Sequence, residues 1–338
     1  MKKILAVLPV LAIVVSCNSN SKVEDVPTEE VTSELFKKAS SVFVSISSLP
    51  ESTISREMIV LGKKLYFDNQ LSKNNTISCS SCHDLNKYGV DNLPTSLGDT
   101  KLNGNRNSPS TIYAFLHGMQ FWDGRAKDVE EQAGGPLLNP IEHGIPSEAY
   151  LIQKLSKIHE YAKLFKAAFP TEKNPITFKN LTSAIASFER QLSPTSKFDE
   201  YLDGNESALN EKEKTGLANF MDNGCITCHS GIAIGGQMMQ KFGVYSNYWE
   251  ATKSKKIDNG LFDRTKIETD KYLFKTPSLR NVEKTYPYFH DGSIQSLKET
   301  IKIMAKIQLN KDLDQEQISS IEAFLKTLTA DVSLEYKK

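Results

Sequence analysis

Cys79-Ser80-Ser81-Cys82-His83 and Cys225-Ile226-Thr227-Cys228-His229 repeat one pattern: two cysteines three apart, with a histidine directly after the second. This spacing is the attachment signature of a c-type haem. The thiols form thioethers to the porphyrin edge, and the histidine takes one axial position on the iron. With five cysteines and six histidines in 338 residues, chance supplies on the order of 0.001 such patterns. A four-cysteine zinc site needs no histidine directly after each pair. A thioredoxin-like pair needs a βαβ context that is absent around both motifs. The chain therefore reads as a carrier of two covalently bound haem c groups.

Outward from the first motif, Arg56 to Phe67 reads as a helix, and residues 69–77 and 87–110 read as polar loops. FWDGRAKDVEEQAGGPLLNPIEHG, residues 121–144, is broken up by Gly and Pro. It reads as mostly loop, with one helical turn around Val129 to Ala133. It carries Trp122, Gln132, Glu142 and His143, a density of polar and aromatic groups that suits a site better than a core. Ser147 caps a helix expected to run to about Phe169, and Thr177 caps the next, with Leu181, Ile185, Phe188 and Leu192 on one face. Pro194 and Ser196 mark a boundary. Beyond it, Asn210 with Glu213 and Ser296 with Glu299 read as capping boxes, and Asp314 starts a last helix. Residues 237–274 show no clear period. Strand signals are sparse. The fold class is mainly α: two tandem cytochrome c-like haem domains with long loops, 46–193 and 194–338.

The amino terminus reads differently. Lys2 and Lys3 precede an apolar run, Ile4 to Val15, too short to span a bilayer. Val14-Val15-Ser16-Cys17 resembles the bacterial lipobox, which implies a signal peptide over 1–17, cleavage before Cys17 and lipidation of that thiol. An ordinary secretory signal is the alternative, and either takes the protein out of the cytoplasm. Asn18 to Glu30 is a polar tether within an 18–45 N-terminal segment. Lysine plus arginine and aspartate plus glutamate each number 41, so there is no electrostatic footprint for nucleic acid.

FWDGRA (121–126), EEQA (130–133), NPIE (139–142), TPSLRNV (276–282) and PYFHDG (287–292) resemble the motifs of bacterial di-haem cytochrome c peroxidases. The resemblance runs from about residue 50 to 330. A related di-haem enzyme, which matures methylamine dehydrogenase, shares most of these motifs but carries tyrosine where the peroxidases carry an axial methionine. The resemblance implies the following roles. Met304 faces His229 across the C-terminal haem, which takes up electrons. The His83 haem is peroxidatic, with Glu142 moving protons and Gln132 steadying the ligand. Trp122 sits between the haems. Asn107 and the backbone carbonyls of Thr285 and Pro287 hold a calcium ion. The implied reaction reduces hydrogen peroxide to water with electrons from a small cytochrome c or cupredoxin, in the periplasm of a bacterium, on a lipid anchor, in an enzyme commonly homodimeric. A partner-protein oxidase and a non-catalytic electron carrier are the alternatives.

One departure from the family pattern has a functional consequence. Many members place a histidine at the end of a Ser-apolar-Gly-His run, where it caps the peroxidatic haem of the oxidised enzyme. Here the run is Ser96-Leu97-Gly98-Asp99, so the N-terminal haem is expected to stay open without reductive activation. His143 and His117 are the alternatives as replacement ligands. His159 reads as structural, and His290 as a group beside the site or between the domains.

Overall fold

The computed structural model describes residues 33–338, of which Glu34–Lys338 form one compact unit. The expected signal peptide, Cys17 and the whole Asn18–Glu30 tether lie outside the described residues. The helices are α1 (Glu34–Ser40), α2 (Arg56–Tyr66), α3 (Cys79–Cys82), α4 (Val129–Leu138), α5 (Glu148–Ser156), α6 (His159–Ala168) and α7 (Phe178–Glu189), followed by α8 (Lys197–Leu202), α9 (Glu211–Asp222), α10 (Tyr248–Thr252), α11 (Phe262–Thr265), α12 (Leu297–Leu309) and α13 (Gln315–Lys326). An antiparallel ribbon of β1 (Met239–Lys241) and β2 (Leu273–Lys275) is the one sheet among the described residues. The protein is mainly helical, as expected. No described helix is long and apolar enough to cross a membrane.

Side-chain caps set several helix starts. Ser55 accepts from the Met58 amide, and Thr177 from the Asn180 amide. Asn210 with Glu213, and Asp314 with Gln317, form reciprocal capping boxes. At Ser296 only one half of the expected box forms, with the Glu299 amide donating to its hydroxyl. Each such cap satisfies helix-end amides that otherwise lack partners.

Two expectations are corrected. The helix expected from Ser147 to Phe169 is two, because the chain turns extended at Ile158. The turn brings Tyr161 into the core, where its hydroxyl donates to Asp68 Oδ2 at 2.6 Å. The short turn expected at Val129–Ala133 is a ten-residue helix that runs through Gly134, Gly135 and Pro136. Gly134 is there for contact rather than flexibility: a Cβ would press on the Phe178 ring of α7.

The two halves share a packing device. In the first, α2 crosses α7 at Gly62, and a Cβ there would collide with the Ala184 carbonyl oxygen. In the second, α9 crosses α13 at Gly216, against the Ser320 carbonyl oxygen. Phe188 and Phe324, one turn further on, complete the two contacts and are fully buried. Each crossing stands just ahead of a haem motif.

The chain ends are exchanged between the halves. Ala39 and Phe43 pack with Phe198, Phe220 and Phe324 of the second half. Val332 joins Tyr66, Tyr113 and Phe188 of the first. Asp199 and Arg280, both fully buried, form a two-pronged ion pair at 2.9 Å on each arm. Asp199 also accepts from the Ile46 and Ser196 amides, and Arg280 Nε donates to the Ile232 carbonyl. Every charged atom in this cluster is thus met, which a buried pair requires.

Gly216→Ala and Gly62→Ala should each force the helices apart and cost about 1–3 kcal/mol. Urea unfolding of the haem-loaded protein, followed by its midpoint, measures this.

Candidate active site

A cavity of about 940 Å³ opens beside the first haem motif. Cys79, Cys82 and His83 line it from one side, and Gln132, Glu142 and His143 also line it. The His83 Nδ1 lies 3.3 Å from the Gly89 carbonyl. That bond places the proton on Nδ1 and leaves Nε2 with a lone pair for a metal, the usual arrangement for a ligating imidazole. The Tyr66 hydroxyl donates to the His83 carbonyl and fixes the backbone beneath it. Burial lowers the His83 pKa, which keeps the ring neutral as ligation requires.

Glu142 sits on a turn after α4. Its Oε1 accepts from Asn139 Nδ2 at 2.7 Å, and its own amide donates to the Asn139 carbonyl. Burial raises its pKa, against the pull of the Arg125 guanidinium and the Asn139 amide. Arg125 lies over the Phe121 ring, 3.4 Å from the centroid, and donates to Asp123. Its influence on Glu142 was not anticipated, although it stands inside the FWDGRA motif. Glu189, on α7, is the other unanticipated group. It is buried in the cavity wall, where desolvation raises its pKa to about 8. A helical face with Ile185 one turn earlier was the only sequence signal for it.

Asp99 is buried, at 3% exposure, and is not among the residues that line the cavity. Its carboxylate accepts from the Asn74 amide at 2.8 Å and from the Thr76 hydroxyl at 2.6 Å. Its amide donates to the Glu142 carbonyl at 2.8 Å. Asp99 therefore clamps the 72–76 loop to the turn that carries Glu142. Burial acts to raise its pKa, but the hydrogen bonds from Thr76, Asn74 and Ser72 outweigh it and hold the carboxyl below its ordinary value.

The second cavity, about 250 Å³, is lined by Cys225, Cys228, His229 and Met304 together with a mostly apolar wall. Burial pushes His229 down to about 4, and its Nδ1 has no hydrogen-bond partner. His117 also lines this cavity, 3.4 Å from Lys275 Nζ. His117 is not among the residues that line the first cavity, whereas His143 and His290 line it together with His83.

Trp122 and His290 line both cavities. The indole Nε1 donates to the Asn107 carbonyl at 2.9 Å, and the Asn107 amide donates to the His290 carbonyl at 2.7 Å. Asn107, Thr285 and Pro287 all line the second cavity. The four described cysteines form no disulfide. Each thiol pair stands in a cavity wall beside a histidine whose pKa burial lowers, half-buried at His83 and buried at His229, so the residues present fit haem at both positions.

A largely helical chain with two such pockets is a two-haem c-type cytochrome fold. Among solved structures, a MauG-like protein associated with microbial copper homeostasis superposes with a TM-score of 0.76 at 28% identity, over 86% of this chain and 98% of that one. The family model for di-haem cytochrome c peroxidase matches residues 56–207. The cytochrome c551 peroxidase of Nitrosomonas europaea is 43% identical over 81% of this chain and 80% of its own length. That of Pseudomonas aeruginosa is 42% identical over 88% of this chain and 85% of its own length. The chain belongs to the di-haem cytochrome c peroxidase family and binds two haem c groups.

Asp99→Ala should cost about 1.5–3 kcal/mol at neutral pH, the range for hydrogen bonds to a charged group. A depressed carboxyl stabilises the fold above its unfolded value and loses that contribution as pH falls through its folded value. The gap between wild type and variant in denaturant midpoint should therefore be full at pH 7 and shrink below about pH 4.

Proposed function

We propose that the protein reduces hydrogen peroxide to water, with electrons delivered one at a time by a small cytochrome c or cupredoxin. The observation that carries this reading is the shared cavity of His83, Gln132 and Glu142, joined to the second cavity through Trp122. Haem, when bound, supplies the iron that accepts peroxide and the electrons that cleave its O–O bond.

The chain's own residues divide the remaining work. Cys79, Cys82 and His83 hold the peroxidatic haem; Cys225, Cys228, His229 and Met304 hold the other. Met304 would offer that haem a thioether, a ligand type that raises haem potential and would suit an electron-accepting site. Glu142 moves a proton from one peroxide oxygen to the other. Burial raises its pKa and so favours the acid form, and a positioned carboxyl contributes about 10²–10⁴-fold. Asn139 orients it and Arg125 limits the rise. Gln132 donates a hydrogen bond to the bound ligand. Trp122 shortens the electron path, since its ring borders both haem sites.

Met304 argues against oxidation of a partner protein, because the related maturation enzyme carries tyrosine there. An electron carrier without catalysis needs both irons closed, and Asp99 is committed to Asn74 and Thr76. With Asp99 so engaged, the N-terminal haem would keep a place for a small molecule in the oxidised protein. Calcium fits between the halves at Asn107, Thr285 and Pro287. The Asn107 amide nitrogen is turned to the Leu93 carbonyl, and Asn92 holds the neighbouring Lys284 and Tyr286 carbonyls. Oxygen ligands of this type suit calcium. The periplasmic location, the lipid on Cys17 and a homodimer complete the reading; Cys17 lies outside the described residues.

Glu142→Gln should retain both haem spectra and lose at least about 10²-fold in peroxide turnover; turnover near that of wild type would refute the role. Electron paramagnetic resonance of the fully oxidised wild type should show one high-spin haem beside one low-spin haem, and two low-spin signals would contradict the open site.

A further inference from the structure

His143 follows Glu142 directly and lines the same cavity as His83. It is buried, and three anchors hold it. Its amide donates to the Pro136 carbonyl at 3.2 Å, its carbonyl accepts from the Lys73 amide at 2.9 Å, and its Nδ1 lies 3.0 Å from the Leu71 carbonyl. A carbonyl only accepts, so Nδ1 carries the proton and Nε2 keeps a lone pair. No hydrogen bond to Nε2 forms among the described residues, and Nε2 is the ring nitrogen left for the cavity.

The surroundings keep this ring neutral. Burial, the largest influence, drives its pKa down to about 4; the Leu71 carbonyl and Asp99 oppose this, and His83 reinforces it. Asp99 stands on the packed 91–107 loop. On α5, Lys154 Nζ is held by the Ser72 carbonyl at 2.8 Å. The neighbouring Glu142 is shifted in the opposite direction. An imidazole ordinarily titrates above a carboxyl, so these opposite shifts bring the two groups toward comparable proton affinity, which lets a proton pass between them.

We propose that His143 is a second proton-transfer residue of the peroxide site, with Nε2 accepting the proton that hydrogen peroxide gives up on binding. This rests on the peroxidase reading above. One O–H bond breaks, its electron pair stays on oxygen, and an N–H bond forms at Nε2. The proton then passes to the outer oxygen as the O–O bond breaks; that oxygen keeps the bonding pair and leaves as water. Two electrons from the donor protein and two protons from solvent turn the remaining oxygen into the second water. Glu142 orients the outer oxygen and passes on the returning proton.

The test uses the fully oxidised haem-loaded protein and potassium cyanide, which is HCN at pH 7 and must lose its proton to bind. His143→Gln, which retains an amide for the Leu71 carbonyl, and His143→Leu should both slow cyanide association by about 10²-fold. Carbon monoxide binding to the reduced protein requires no proton transfer and should be unchanged. Cyanide rates within threefold of wild type in both variants overturn the proposal. So does an equal fall in cyanide and carbon monoxide rates, which marks a structural role. A wild-type N-terminal haem that is low-spin and turns high-spin in the variants overturns it as well, since His143 is then an iron ligand. Wild-type peroxide turnover is measured alongside. Its absence defeats the peroxidase reading, whereas an active wild type with unchanged cyanide rates defeats this inference alone.

Discussion

Two glycines with no room for a side chain set the geometry on which both haem pockets depend. At Gly62 and Gly216 a helix backbone lies directly on the carbonyl of a second helix, Ala184 in one half and Ser320 in the other. Close approach of this kind gives each half a rigid crossed pair, tightened by Phe188 and Phe324 in the same relative position. The haem motifs follow the first helix of each pair after a loop or directly. A covalent attachment needs two thiols and an imidazole presented together, and the crossed helices supply the fixed wall against which that presentation happens.

The halves are bound together more firmly than two domains on a tether. Each receives an end of the chain that is otherwise remote from it, through Phe43 and Val332. The buried Asp199–Arg280 pair gathers the amides of Ile46 and Ser196 and the carbonyl of Ile232 into one cluster. Removing one partner of such a pair leaves a charge stranded, at about 3–5 kcal/mol. The functional return is positional. Trp122 lines both pockets, and the hydrogen bonds from Trp122 to Asn107 and from Asn107 to His290 run along that border.

The peroxide pocket is built on opposing electrostatic demands. Burial raises Glu142 and lowers His143, while Arg125 and the Leu71 carbonyl restrain both shifts. These groups need a firm frame, and Asp99 provides it by joining the 72–76 loop to the Glu142 turn. In this chain the 96–99 run thus braces the pocket from outside.

Local chemistry was legible in the sequence. The CxxCH motifs had to be readable because thioether formation demands thiols at one spacing with a histidine beside them. The caps at Thr177 and Asn210 were equally clear, since capping uses residues three apart. The double glycine and proline of 134–136 misled, because Gly134 serves a close contact with Phe178 far along the chain and Gly135 one with Phe121. The break at Ile158 was likewise hidden, as it answers to Asp68. By itself the sequence determined the two haem c groups and the helical class, and it named Glu142 and His143, which the structure places in one cavity. Only the tertiary structure decided that His117 borders the second cavity and His143 the first, that Asp99 is engaged by Asn74 and Thr76, and that Arg125 acts on Glu142. Those facts depend on which distant segments pack against each other, and packing is settled by shape and burial across the whole fold rather than by any local spacing.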